Sequence, residues 1–300
     1  MNAQTNKQYL IQKVWAHKVL QKIFLEILTN TQLHNERSLK RKFIDKMNEL
    51  VPQGLDDDSI YKEFFSFIHV DLDEHLRKKI QHKERYRVTN RVQKILHFIY
   101  QFGTPHIPIQ SILDIGCDHG DITGEIGKKL ELQRESVHGC DIINMDKQIC
   151  ENFTYHEIKE SDKAELPFSN DSQDIVYAFM SLHHIKNIHD TLKEIYRVLK
   201  PQGLFIIREH DSTNRLEGYK DVLDIIHGFY SMVWSNPNEK ECFSKEHWAH
   251  YFTSPELIML IRSFGFHILL DTSFPKQRFP QYYNRKMINP LRYYYAVFKK

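Results

Sequence analysis

At Ile109 the apolar pattern of this 300-residue chain changes period, and that change decides what it can fold into. Before it, apolar residues recur at helical spacing. In Leu10–Leu28 they are Ile11, Val14, Trp15, Val19, Ile23 and Ile27, which gives one wet and one buried face. A second helix is expected over 36–50, ending at Val51–Pro52. The segment Gly54–Ser59 reads as a turn and a helix cap. Further helices are expected over Tyr61–Ile80 and Arg91–Tyr100, the latter opened by Thr89 or Asn90. After Ile109, short apolar runs alternate with amphipathic stretches. Strands are expected at Ser111–Gly116, Ser136–Ile142, Thr154–Ile158, Asp174–Phe179, Gly203–Arg208, Phe266–Asp271 and Tyr293–Phe298. Helices fall at Asp121–Leu130, near Asp146 and at Asn187–Leu199. This alternation predicts an α/β fold, a mostly parallel sheet covered by helices on both faces. The expected organisation is a helical region over 1–108, then an α/β domain over 109–300 with a helical insertion at about 215–265.

With 41 Lys and Arg against 39 Asp and Glu, the net charge of +2 neither requires nor excludes a nucleic-acid partner. The balance is local, however. From Phe274 to Lys300 there are seven basic residues, no acid and five tyrosines (282, 283, 293, 294 and 295). Such a segment can hold RNA by phosphate contact and base stacking, or it can be a hairpin ending in the last strand. The four cysteines show no CxxC spacing. They read as reduced, mostly buried thiols, and no metal is expected. The first 20 residues carry charges through their apolar positions, and no apolar run is long enough to span a bilayer. The expected location is the cytoplasm.

The sharpest local feature is Ile112-Leu113-Asp114-Ile115-Gly116-Cys117-Asp118-His119-Gly120, an apolar strand leading through a glycine-bearing turn into a helix. Gly116 lets the backbone pass where a Cβ would collide. The turn would direct amides and a helix N-terminus toward a ligand. Asp114 places negative charge there, which suits an ammonium group better than a phosphate. The second strand ends in Asp141, whose carboxylate can accept both hydroxyls of a ribose. After the third strand comes Ser161-Asp162-Lys163-Ala164. Asp162 could accept from an adenine amino group, with Ala164 and Ile142 offering apolar contact to the ring. Taken singly, Asp141 could be a loop carboxylate and Asp162 a helix cap.

Three further segments carry a resemblance. They are Ala164–Val176 (AELPFSNDSQDIV), Ser181-Leu182-His183-His184, and Leu192–Gly203 (LKEIYRVLKPQG). Together with the first turn, they resemble the class I S-adenosylmethionine methyltransferases, within them the group of ubiquinone and menaquinone C-methyltransferases. The resemblance implies a Rossmann-like, seven-stranded, mostly parallel sheet with an N-terminal helical extension, and S-adenosylmethionine as cofactor. It implies that Asp114 and Gly116 line the methionine end, that Asp141 binds the ribose and Asp162 the adenine amino group, and that Cys117, Ile142 and Lys163 also belong to the cofactor site. Phe179 or Met180 would flank the sulfonium. Two departures stand out. The family often has glycine at the positions of Asp118 and Gln202. A dinucleotide dehydrogenase fits less well, because Asp118 occupies the middle glycine of its usual turn.

Substrate contact is expected at the ends of the fourth and fifth strands. The candidates for orienting or deprotonating an acceptor are Glu209, His210 and His184; Asp211-Ser212-Thr213 could instead cap the next helix. The expected reaction is methyl transfer to a small or medium-sized organic acceptor. The alternatives are an RNA methyltransferase, for example one acting on the 5′ cap guanine, and an inactive methyltransferase-fold binding subunit. No Asn/Asp-Pro-Pro-Tyr/Phe segment follows the fourth strand, which disfavours amino-directed DNA methylation.

Overall fold

The computed structural model describes residues 9–31, 37–71, 74–103, 108–142, 151–158, 164–212, 216–234, 243, 247–273 and 293–300. Its seven strands are β1 (Ile112–Ile115), β2 (Val137–Asp141), β3 (Thr154–Glu157), β4 (Gln173–Phe179), β5 (Leu199–His210), β6 (His267–Asp271) and β7 (Tyr293–Lys299). They form one sheet in the order β3-β2-β1-β4-β5-β7-β6. Strands β1 to β5 pair in parallel, and β7 runs antiparallel to both β5 and β6. The chain order reverses between β1 and β4, so a crevice opens beyond their carboxyl ends, where ligands bind in open α/β sheets.

Alternation along the strands makes two cores. On β5, Phe205 and Ile207 join a cluster with Leu192, Ile195 and Val198 of one helix (Ile188–Val198) and Leu257, Ile258 and Ile261 of another (Ser254–Ser263). Leu204 and Ile206 face the other way, against Ile126 of the helix Asp121–Lys129 and Val92, Ile95, Phe98 and Ile99 of the long helix Glu74–Phe102. The sheet is therefore buried on both faces, as its near-continuous apolar strands require. The same alternation places Tyr294, Ala296 and Phe298 in the first core and Tyr295 and Val297 at the second, so the final strand is a fold element.

Three helical expectations differ locally. The stretch expected as one helix over Tyr61–Ile80 comprises the end of Asp57–Ser66, a π-helical turn over Phe67–Asp71 and the start of Glu74–Phe102. Thr89 and Asn90 open no helix, because Glu74–Phe102 runs through them without a break. No glycine or proline interrupts that stretch, and exposed Thr and Asn are tolerated on a wet helix face. Conversely, Leu10–Leu28 is broken at His17, which is extended (φ −100°, ψ 102°), into helices Leu10–Ala16 and Lys18–Thr31. The His17 Nδ1 accepts from the Leu20 amide at 3.3 Å and so serves the second helix as a cap. The helix expected near Asp146 lies outside the described residues.

Contacts divide the chain into two compact units. One holds 1–85, 214–248 and 288–291, the other 86–213, 249–287 and 292–300. The first is helical, with helices Leu10–Ala16, Lys18–Thr31, Arg37–Leu50, Asp57–Ser66 and Tyr219–Phe229. Its core is aromatic: Phe229 meets the rings of Phe24, Phe43 and Phe64, and Phe43 meets those of Phe24 and Phe64. The expected turn at Gly54 is left-handed (φ 71°), and Asp56 caps the following helix through the Ser59 amide. Buried Asp57 accepts from the amides of Leu10 and Ile11 at 2.8 and 3.0 Å, satisfying the start of the first helix. Asp57→Ala should therefore lower stability by about 1–3 kcal/mol, measured by chemical denaturation followed by circular dichroism. An unchanged midpoint would mean that the first helix finds other acceptors.

Candidate active site

The turn after β1 is shaped by the turn after β4. Gly116 has φ +75°, and a Cβ added there would stand 2.3 Å from the Ser181 Cβ. Ser181 is held in place by donating its hydroxyl to the Ile115 carbonyl at 2.6 Å. Only glycine tolerates both that backbone conformation and that approach.

The turn then uses its amides internally. Gly116 N and Cys117 N both donate to the Cys140 carbonyl, at 2.8 and 3.1 Å. Gly120 N donates to the Cys117 carbonyl at 2.9 Å. Asp118 N donates to the Asp141 carboxylate at 2.8 Å. The amides expected to face a ligand instead bind β2 and its end, because the turn closes on the neighbouring strand. Such a turn is a poor diphosphate cradle, since that role needs outward amides. Asp118 has φ +49° and Gln202 φ +67°. Both residues that stand where the family often has glycine thus keep the glycine-like conformation, and the turn path is retained. Aspartate is among the residues that accept this region most readily.

Asp114, only 4% exposed, accepts a hydrogen bond from the Thr123 hydroxyl at 2.7 Å. Burial lifts its pKa to about 7, with Thr123 opposing the shift. An anion so placed is stabilised by a cation such as a ligand ammonium. Asp141 ends β2 and accepts from Asp118 N and Ile142 N, one amide on each oxygen. A carboxylate has about four lone-pair sites, so these two amides do not exhaust it. Ile142 is 60% exposed beside it, an apolar surface with room for a ring. The Cys117 thiol packs in the core on the Phe153 side, close against Gly139, and burial pushes its pKa far up, so it is an inert structural group. These residues fit the amino-acid and ribose parts of S-adenosylmethionine. Asp162 and Lys163 lie outside the described residues.

Beyond β4, Met180 adopts φ +61°, and its amide donates to the Arg208 carbonyl at 2.8 Å. Phe179, on the last position of β4, is paired in register with Arg208 of β5. Glu209 is buried. Its Oε1 accepts from the Leu182 amide at 2.8 Å, and its Oε2 meets His183 Nδ1 at 2.6 Å. It therefore holds the segment that follows β4. His210 is buried with its ring 5.1 Å from that of His183, and burial together with neighbouring charge keeps its pKa well below the ordinary value. His184 is exposed, its ring 4.1 Å from that of His183. Asp211 does not cap the next helix in sequence. It accepts from Ser254 N at 3.0 Å, at the start of the helix 43 residues later, and Ser212 donates to the Tyr251 carbonyl at 2.9 Å. This pairing folds the segment before Ser254 against the end of β5. Thr123 is a site position that the sequence pattern left unassigned, and the structural part of Ser181 and the aromatic setting of Arg208 were not expected. Thr123 had a faint signal, a hydroxyl one turn into the helix that follows a buried acid.

Gly116→Ala should destabilise the ligand-free protein by on the order of 2–4 kcal/mol, from left-handed strain plus overpacking. Adding Ser181→Gly should recover the overpacking share, seen as non-additivity in a denaturation double-mutant cycle. Purely additive effects would show that the two turns do not touch.

A family profile described as a methyltransferase domain matches residues 58–270, more than two thirds of the chain. The sterol 4-C-methyltransferase strm-1 of Caenorhabditis elegans is 25% identical over 197 residues, which are 64% of this chain and 59% of that protein. The demethylmenaquinone methyltransferase of Lactobacillus johnsonii is 25% identical over 179 residues, 53% of this chain and 69% of that protein. A solved S-adenosylmethionine-dependent methyltransferase from Methanosarcina mazei superposes with a TM-score of 0.46 at 19% identity, over 68% of this chain and 96% of that one. The chain spans roughly half to two thirds of the length of these curated relatives, 59% of the first and 50% of a Rickettsia prowazekii ubiquinone/menaquinone C-methyltransferase. With the profile over most of the sheet and the strand order around it, the chain belongs to the methyltransferase-domain family, in its class I S-adenosylmethionine-dependent form.

Proposed function

We propose that this protein transfers a methyl group from S-adenosylmethionine to a small or medium-sized organic acceptor. The observation that carries the reading is the constellation of Asp114, Gly116 and Asp141 around one glycine-shaped turn. When bound, the cofactor supplies an electrophilic methyl group on a sulfonium. In this reading Asp114 neutralises the ammonium, Asp141 accepts from the ribose hydroxyls, and Ile142 covers the ring. Phe179 lies at the end of the strand nearest the transferred group. Cys117 contributes through its backbone alone. Asp162 and Lys163 complete the adenine side in the proposal.

Chemistry at the acceptor falls to His210, Glu209 and His184. With both oxygens of Glu209 occupied by Leu182 N and His183, it acts as a positioning residue that fixes the β4 turn. A histidine whose pKa is held low stays neutral at pH 7, so His210 orients an acceptor hydroxyl more readily than it removes a proton. Relatives named for sterol and menaquinone methylation support a cyclic organic acceptor over RNA. So do the last-strand tyrosines: Tyr294 is buried in the core, and Tyr293 and Tyr295 lie against Arg208. No described helix is long and apolar enough to cross a membrane. A cytoplasmic setting remains part of the proposal.

Calorimetry should show micromolar binding of S-adenosylhomocysteine with no competition from NAD. Asp141→Ala should weaken it by roughly 2–4 kcal/mol while ligand-free melting moves little. Unchanged affinity would remove Asp141 from the site.

A pH series tests Asp114. Its ligand-free pKa is raised to about 7, so it is mostly protonated below that value, and binding a cation must expel the proton. Affinity for S-adenosylhomocysteine should therefore fall as pH drops through 7, by up to roughly tenfold per unit. Asp114→Asn should bind more weakly and lose this slope. A slope that survives in the variant would assign the titration to another group.

A further inference from the structure

We infer that Arg208 is the receptor for an anionic oxygen of the acceptor, so that the substrate is an aromatic or cyclic molecule bearing a carboxylate, phosphate or comparable oxyanion. The position of this receptor beside the transferred methyl rests on the function proposed above. Arg208 is 8% exposed at the carboxyl end of β5. Its Nη1 is fully buried and has no hydrogen-bond partner, and no ion pair joins its guanidinium to a described residue. Arginine cannot shed its proton to relieve that burial, as a lysine or histidine could. A buried, permanently charged group without a counter-charge is costly, and it is retained where a ligand completes it.

The adjacent acids do not supply the charge. Glu209 alternates to the opposite face of the strand, where Leu182 N and His183 engage it, and Asp211 accepts from Ser254 N. What surrounds Arg208 is aromatic. Its guanidinium lies 4.0 Å from the centroid of Tyr293 and 5.9 Å from that of Tyr295. Phe179, Arg208 and Tyr295 form one register row across β4, β5 and β7. Ring faces attract the cation only partly, and they leave the fork of N–H donors available for a planar or tetrahedral anion. Tyr293, half open to solvent, offers an edge against which the body of a cyclic acceptor can pack. An anion here also offsets the repulsion that a guanidinium would exert on a cationic methyl donor one strand away.

The test uses the full chain saturated with S-adenosylhomocysteine and three probes: 4-hydroxybenzoate, phenyl phosphate and the neutral 4-hydroxybenzamide. Calorimetry should find one of the anions bound at least about tenfold more tightly than the amide, and which anion wins separates the carboxylate from the phosphate source. Arg208→Met should abolish the preference, Arg208→Lys should keep part of it, and both should bind S-adenosylhomocysteine within about threefold of wild type. Because the substitution removes an unpaired buried charge, Arg208→Met should melt no lower than wild type. Equal binding of all three probes, a preference that survives Arg208→Met, or a markedly lower melting temperature in that variant would overturn the assignment. The last result would make the guanidinium part of the fold. If S-adenosylhomocysteine itself fails to bind, the proposed function falls, and the probe comparison without it still decides the role of Arg208.

Discussion

The approach of Ser181 to Gly116 is the contact on which the site depends. It sets the turn after β4 against the turn after β1, with no room for a side chain between them. Because the β1 turn is pressed inward, its amides reach the Cys140 carbonyl and the Asp141 carboxylate, and β2 ends in a fixed place. Because Ser181 is fixed to the Ile115 carbonyl, the chain leaves β4 in a strained conformation at Met180, and Leu182 and His183 arrive where Glu209 can hold them. Three strand ends are thereby locked by hydrogen bonds made within the crevice wall. Strain at such a position is stored where a ligand must meet defined geometry.

That wall contains charges the fold alone does not balance. Asp114 and Arg208 are both buried near strand ends. One is met by hydroxyls, that of Thr123 at 2.7 Å and that of Tyr177, and the other has a fully buried nitrogen with no partner. No hydrogen bond or ion pair joins these two. A donor carrying an ammonium and an acceptor carrying an oxyanion would answer each in turn. The uncompensated charges thus say more about the ligands than about stability, since buried ionic groups are weak evidence for a stabilising role.

Much of this architecture was legible in the sequence, because strand and helix periods differ and parallel strands are buried on both faces. The seven strands fall within a few residues of their expected places; β5 departs most, extending through Leu199–His210. What was not legible were features set by neighbours distant in sequence. Nothing local distinguishes the break at His17 from continuous helix, or the unbroken helix at Thr89 and Asn90 from a capped start. Glycine-like backbone at Asp118 and Gln202 was hidden by their side chains. The surroundings of Arg208 were hidden as well, because only the sheet register shows which of the four successive ionisable residues 208–211 faces tyrosines and which faces His183. The commitment of Glu209 to Leu182 N was equally invisible, since it joins positions 27 residues apart.

The central claim is that the β1 turn and the end of β2 hold the ribose and amino-acid ends of S-adenosylmethionine. A crystal structure of the protein with S-adenosylhomocysteine tests it most directly. The account predicts both ribose hydroxyls within about 2.6–3.2 Å of the Asp141 oxygens, with the ligand ammonium on the Asp114 side of the turn. A ligand whose ribose is held elsewhere, away from the Asp141 carboxylate, would contradict it.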